Sequence, residues 1–268
     1  MIPIQKPGTI LAVAVRCPGI SCALTWTVAV GLFLAAAGTT ASANHRLGFH
    51  WARKTNPFIL VMAKSVRPVW NTYIEAAASD WSKSEKLDIT PRDGEFDPRT
   101  CNPSTGRVRI CSARYGENGW LGLTQLWKTD GHTIRATAKL NDSYFIKERF
   151  NTPRWRQMSV CHEIGHTLGL DHQDENLRNS NLGTCLDLTD KPRTNQHPNL
   201  HDFGELSAIY RHTDGATTVK GLAQKDATKA TGDWGRAMRV DKNGRGHIFV
   251  KTLGPGKELV TIVTWEDE

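Results

Sequence analysis

The sequence predicts an α+β domain over residues 44–213, preceded by a leader over 1–43 and followed by an extension over 214–268. Three observations carry this reading. Apolar residues recur at three- and four-residue offsets in two stretches, near 69–81 and 153–169, as one face of a helix requires. Between them, Lys86 to Lys139 reads as short strands punctuated by Asp93-Gly94, Asp97-Pro98, Asn102-Pro103, Asn118-Gly119 and Asp130-Gly131. Composition also shifts near Ala43 and again after Thr213.

In the leader, Lys6 and Arg16 are the only charges, and an apolar run from Ala23 to Ala37 precedes Ala41-Ser42-Ala43, a small-x-small cleavage site. The run falls short of the roughly 20 residues of a spanning helix. The expectation is a secretory signal peptide ending at Ala43, with an uncleaved anchor as the alternative. Losing Lys6 and Arg16 would lower the formal charge from +7 to +5. No Lys/Arg block marks a nucleic-acid surface, so no nucleic-acid partner is expected.

Phe58 to Ala63 follows Pro57 as a first strand. Val69, Trp70, Tyr73, Ile74, Ala77, Ala78 and Trp81 then form one helical stripe, with Pro68 suited to its first turn. Further strands are expected at Leu87–Thr90, Arg107–Cys111, Trp120–Trp127 and Thr133–Leu140. A second helix opens at Pro153 and ends at Gly169, and a third covers about Asn199 to Tyr210. His247–Thr252 and Glu258–Trp265, joined through Gly254-Pro255-Gly256, read as a β-hairpin that either packs on the main domain or stands apart.

Outside the leader lie Cys101, Cys111, Cys161 and Cys185. An even number in an exported chain suggests disulfides, and four cysteines allow three pairings. Proximity favours Cys101 with Cys111 and Cys161 with Cys185. A free Cys161 acting as a ligand or nucleophile is the rival reading.

Residues 162 to 172 carry the chemistry: His162-Glu163-Ile164-Gly165-His166-Thr167-Leu168-Gly169-Leu170-Asp171-His172. On a helix of about 100° per residue, His162 and His166 lie roughly 40° apart and about 6 Å along the axis, so both rings reach one metal ion. Glu163 lies beside the metal rather than on it. A continuing helix would carry His172 about 240° away, so the chain must turn first, and Gly169 supplies a residue free to adopt the left-handed conformation. Three imidazoles leave zinc a fourth position for water, the arrangement of a catalytic site. Glu163 is the expected general base and acid for hydrolysis by an activated water.

The spacing His162-Glu163-x-x-His166-x-x-Gly169-x-x-His172 resembles the zinc signature of the metzincin metalloproteases, most nearly the matrixin-like secreted proteases. Gly119-Trp120-Leu121-Gly122, Lys139-Leu140-Asn141-Asp142, Asn151-Thr152-Pro153 with Trp155-Arg156, and Pro198-Asn199 with His201-Asp202 add to the similarity. The resemblance covers most of residues 57 to 213. It implies a zincin-like catalytic domain with a mixed, mostly parallel five-stranded sheet and three helices. It also implies one catalytic Zn2+ on His162, His166 and His172, and Glu163 as the catalytic residue. The strand near Leu121 to Trp127 would be the antiparallel edge that receives substrate as an added strand.

Together these readings give a secreted, extracellular, monomeric zinc endopeptidase. Its partners are protein or peptide substrates, with no stable membrane association once the signal is removed. A catalytically silent relative that binds through the same cleft, and a zinc hydrolase acting on another bond, are the alternatives. Two departures from the family stand out. Leu186 occupies the place of the methionine in the turn beneath the zinc, and Leu188 the place where some members carry a tyrosine. No cysteine lies between Ala43 and the first strand to provide matrixin-type latency, so control must come from elsewhere or be absent. His132, His197 and His201 offer weak grounds for a further structural ion, and none of them is assigned to one.

Overall fold

The computed structural model describes residues 44–219, 232–241 and 244–266; the expected signal peptide lies outside the described residues. The strands are β1 His50–Trp51, β2 Phe58–Ser65, β3 Leu87–Asp93, β4 Val108–Ala113, β5 Trp120–Thr129, β6 His132–Asn141, β7 Arg236–Val240, β8 Gly246–Gly254 and β9 Lys257–Trp265. The helices are α1 Asn71–Trp81, α2 Pro153–Thr167 and α3 Leu200–Ile209. Among the described residues, no helix is long and apolar enough to cross a membrane.

The strands from β2 to β6 pair in the order β3-β2-β4-β6-β5, parallel except for β5, which runs antiparallel to β6. To this extent the five-stranded expectation holds. The sheet does not stop there, however. It continues from β5 through β9 and β8 to β7, while β1 pairs with the start of β6, giving nine strands among the described residues. All the added pairs beyond β5 are antiparallel, so the sheet as a whole is mixed rather than mostly parallel.

The expected hairpin therefore forms, but as part of the main sheet, with Trp127↔Leu259 and Thr124↔Ile262 in register. The reason is physical. A bare β5 would present a row of unpaired N–H and C=O groups, and β9 satisfies them while burying Leu259, Val260, Ile262 and Val263. β5 is consequently not an edge strand, which corrects the expectation for Leu121 to Trp127. β7 escaped the sequence reading because it is exposed along its whole length and has no buried face to impose an apolar alternation.

A turn of 3-10 helix over Pro68–Trp70 leads into α1, whose Ile74, Ala77, Ala78 and Trp81 are buried. Thr152 caps α2, its hydroxyl accepting from Trp155 N at 3.3 Å, and Pro153 fills a first-turn position where no N–H is needed. Asn199 and Asp202 form a reciprocal capping box on α3. α2 is buried almost throughout, including both histidines and Glu163. Its final carbonyls are satisfied from outside the helix: Trp51 Nε1 donates to Thr167 O at 2.9 Å, and the Tyr210 hydroxyl to Leu168 O at 3.0 Å.

Candidate active site

α2 places His162 and His166 on one face, and the chain turns back at Gly169 (φ 95°) to bring His172 against them. A Cβ at position 169 would lie 2.6 Å from Phe49 O, so both conformation and space demand glycine. His162 Nδ1 donates to Cys185 O at 2.7 Å and His166 Nδ1 to Leu170 O at 2.9 Å. A carbonyl only accepts, so these bonds place the protons on Nδ1 and leave both Nε2 lone pairs free. Those lone pairs converge: His162 Nε2 lies 2.9 Å from His166 Nε2 and 3.1 Å from His172 Nε2.

Burial lowers the basicity of His162, to about 3, and holds His166 well below the ordinary imidazole value. Buried His162 and His166, neutral and with their Nε2 lone pairs turned towards His172, fit a borderline cation such as zinc. Carbonyl bonds to the outer nitrogens are the arrangement that orients metal-binding histidines.

Both disulfides of the favoured pairing form, Cys101–Cys111 and Cys161–Cys185. The second binds the residue before His162 to the residue whose carbonyl orients it. Leu186 follows, fully buried, its side chain beneath Gly165 and close to Trp81. Leu188 lines a small apolar pocket beside His162 with Leu121, Trp155, Met158 and Trp265.

Glu163 points from α2 towards the sheet and is 1% exposed. Its Oε2 accepts from Thr124 Oγ1 of β5 and its Oε1 from Thr264 Oγ1 of β9, each at 2.6 Å. Burial raises its carboxyl to about 7, against the pull of the two hydroxyls. Gly122 makes room for it: a Cβ there would sit 2.0 Å from Glu163 Oε1.

The C-terminal strands contribute more of the surroundings. His247 stacks on His172 with centroids 5.2 Å apart, and Glu175 reaches His247 Nε2 at 3.1 Å and His172 Nδ1 at 3.6 Å. Arg239 pairs with buried Asp171, whose Oδ1 accepts from His172 N at 2.8 Å.

The three histidines named from sequence thus come together, and Glu163 follows His162 in α2 with its carboxylate held by β5 and β9. Thr124, Thr264, Glu175, His247, Asp171 and Arg239 were not given roles, and only Gly122 and Asp171 lay inside quoted motif stretches, Gly119–Gly122 and His162–His172. The three histidines considered for a structural ion do not come together: His197 bonds Asp80 at 2.5 Å, His201 stacks on His45, and His132 lies against Asp214.

No protein-family model matches the chain, and no curated protein does. Among solved structures it is similar to myroilysin, at 9% identity and a TM-score of 0.35 over 60% of this chain and 97% of that one. An archaemetzincin from Archaeoglobus fulgidus follows, at 16% identity and 0.31 over 55% and 99%. A hatching-enzyme zinc protease from Oryzias latipes reaches 14% and 0.25 over 46% and 50%. Overlaps this loose leave the functional case to the residues themselves.

Proposed function

We propose that the chain is a zinc-dependent endopeptidase, with His162, His166 and His172 holding one zinc ion and Glu163 as general base and acid. The convergence of three Nε2 lone pairs beside a buried carboxylate carries this reading. Zinc, when bound, polarises a carbonyl and acidifies water. Glu163 then has the proton work: a carboxylate with a raised proton affinity takes a proton from the attacking water and hands it to the leaving amine nitrogen. Thr124 keeps Oε2 oriented, and Oε1 acts once Thr264 gives it up. Two buried disulfides support passage through an oxidising compartment and hence a secreted protein.

Casein hydrolysis by purified protein tests the reading, with Glu163→Gln and chelator as controls. Cleavage that vanishes in both is expected; zinc bound without cleavage by the parent under any condition would refute it. One observation favours the second reading, a silent binding relative: β9 already occupies the side of β5 where a substrate strand would pair.

A further inference from the structure

Away from the active site, three histidines converge on one carboxylate oxygen. His50 Nε2 and His132 Nε2 each lie 3.3 Å from Asp214 Oδ1, and His212 Nε2 lies 3.5 Å from it. They come from β1, from the start of β6 and from the segment after α3. The other oxygen of Asp214 is already used, accepting from Arg53 Nη1 at 2.8 Å and Arg53 N at 3.1 Å.

Hydrogen bonding accounts poorly for this arrangement. Contacts from nitrogen to a carboxylate run about 2.7–2.9 Å when charge-assisted, and these are longer. Ligands around a tetrahedral zinc at about 2.0–2.1 Å are spaced roughly 3.3–3.4 Å apart, close to the three nitrogen-to-oxygen distances at Asp214 Oδ1. Ring orientation agrees. His50 is perpendicular to His212 (90°) and nearly so to His132 (81°), as His162 is to His166 (88°), so that ring edges rather than faces meet.

Two other clusters differ on this point. His45 and His201 beside Asp202 are stacked at 20°, and His172 and His247 beside Asp171 at 27°, so the in-plane lone pairs of each pair lie in nearly parallel planes.

We propose that Asp214, His50 and His212, joined by His132, form a second site for a divalent cation of the zinc type. Three imidazoles to one carboxylate select zinc over calcium or magnesium. With His132 completing the set of His50, His212 and Asp214, every position would be taken by protein and the site would be structural, stapling the segment after α3 to β1 and to the start of β6. Metal analysis of tag-free protein equilibrated with buffered zinc tests it. Two zinc ions per chain are expected, falling to one in His132→Ala/His212→Ala and also to one in His162→Ala/His166→Ala. Circular dichroism checks that each variant is folded; His212 is half exposed and His132 a third. One ion in the parent, or two retained in His132→Ala/His212→Ala, would overturn the proposal.

A different observation carries a second inference, which rests on the peptidase reading. β9 runs antiparallel along β5 from Trp120 to Thr129, and its Thr264 holds the oxygen of Glu163 that β5 leaves free. If β5 receives an extended substrate, as the metzincin resemblance implies, that substrate and β9 would compete for the same backbone groups of β5. We infer that β9 is an internal occupant of the substrate-pairing side and that its release precedes hydrolysis of a protein substrate.

Val263 offers a way to loosen it, because it packs with Trp120 and Leu123 in a small cluster apart from the main core. Val263→Glu should quicken amide exchange in β9, leave zinc content unchanged and raise casein hydrolysis by about tenfold or more, the shift that a tenfold larger open population gives. Faster exchange with hydrolysis no higher than in an active parent would overturn the occupant inference. Zinc retained with no hydrolysis in either protein would instead overturn the peptidase reading beneath it.

Discussion

Replacing Cys161 and Cys185 together by alanine should weaken both the fold and the zinc site, by amounts that can be separated. The two cysteines are 24 residues apart, and the loop-closure relation for a cross-link of that length gives about 3.5 kcal/mol of stability. Cys101 and Cys111, 10 apart, give about 2.7 kcal/mol by the same relation. All four cysteines are fully buried, so the cavity cost of removing sulfur is similar in the two double variants and largely cancels between them. In chelator, then, the 161/185 variant should lose somewhat more than the 101/111 variant.

Zinc should widen the gap. Cys185 O orients His162, and disturbing such a supporting hydrogen bond costs about 10- to 100-fold in metal affinity, or about 1.4–2.7 kcal/mol. By linkage, any extra loss of stability measured in saturating zinc equals the loss of zinc binding energy. Urea unfolding followed by tryptophan fluorescence, with chelator and with zinc, reads both quantities. A loss below about 1 kcal/mol in chelator would refute the loop argument. Equal losses with and without zinc would refute the claim that the bridge helps to set the ligand.

Gly122→Ala should displace Glu163 and lower casein hydrolysis about 100-fold with zinc content preserved, since small misplacements of a reacting group cost that much; full activity would mean the carboxylate does not work from this position. Gly169→Ala should cost about 1–3 kcal/mol for its backbone conformation alone and weaken zinc binding with it, measured by unfolding and by competition with a chelator. Leu186→Met should change stability by less than about 1.5 kcal/mol, because the two side chains fill similar volumes; a larger loss would show the turn is tailored to leucine. Burial raises the Asp202 carboxyl from its ordinary 3.8 to about 6, so its contribution is full below pH 3.8 and is lost as pH rises through 6. The stability of the parent relative to Asp202→Asn should therefore fall by about 3 kcal/mol across that window, and a flat difference in urea midpoints would refute the assignment.

What could be read from the chain was local. His162, Glu163, His166 and His172 lie within one helix and the turn after it, where the angle per residue and one glycine fix the geometry. β2, β4, β6, α1 and α2 announce themselves by apolar period, because each has a buried face to satisfy. The second kind of information, which distant segments meet, leaves no such trace. Nothing in Lys257–Trp265 states that it pairs with Trp120–Thr129, and nothing in Thr264 marks it as the partner of Glu163, since a threonine in a strand serves equally well anywhere on a pleated surface. His50, His212 and Asp214 are likewise unremarkable in sequence, and His132 stood out only in a weak grouping with the wrong partners, His197 and His201; the four are spread over more than 160 residues and become a candidate site only when three chain segments converge. The two inferences that go beyond the peptidase reading both rest on such convergence. That is also why they are exposed to refutation by measurements of metal count and strand release, which sequence motifs do not predict.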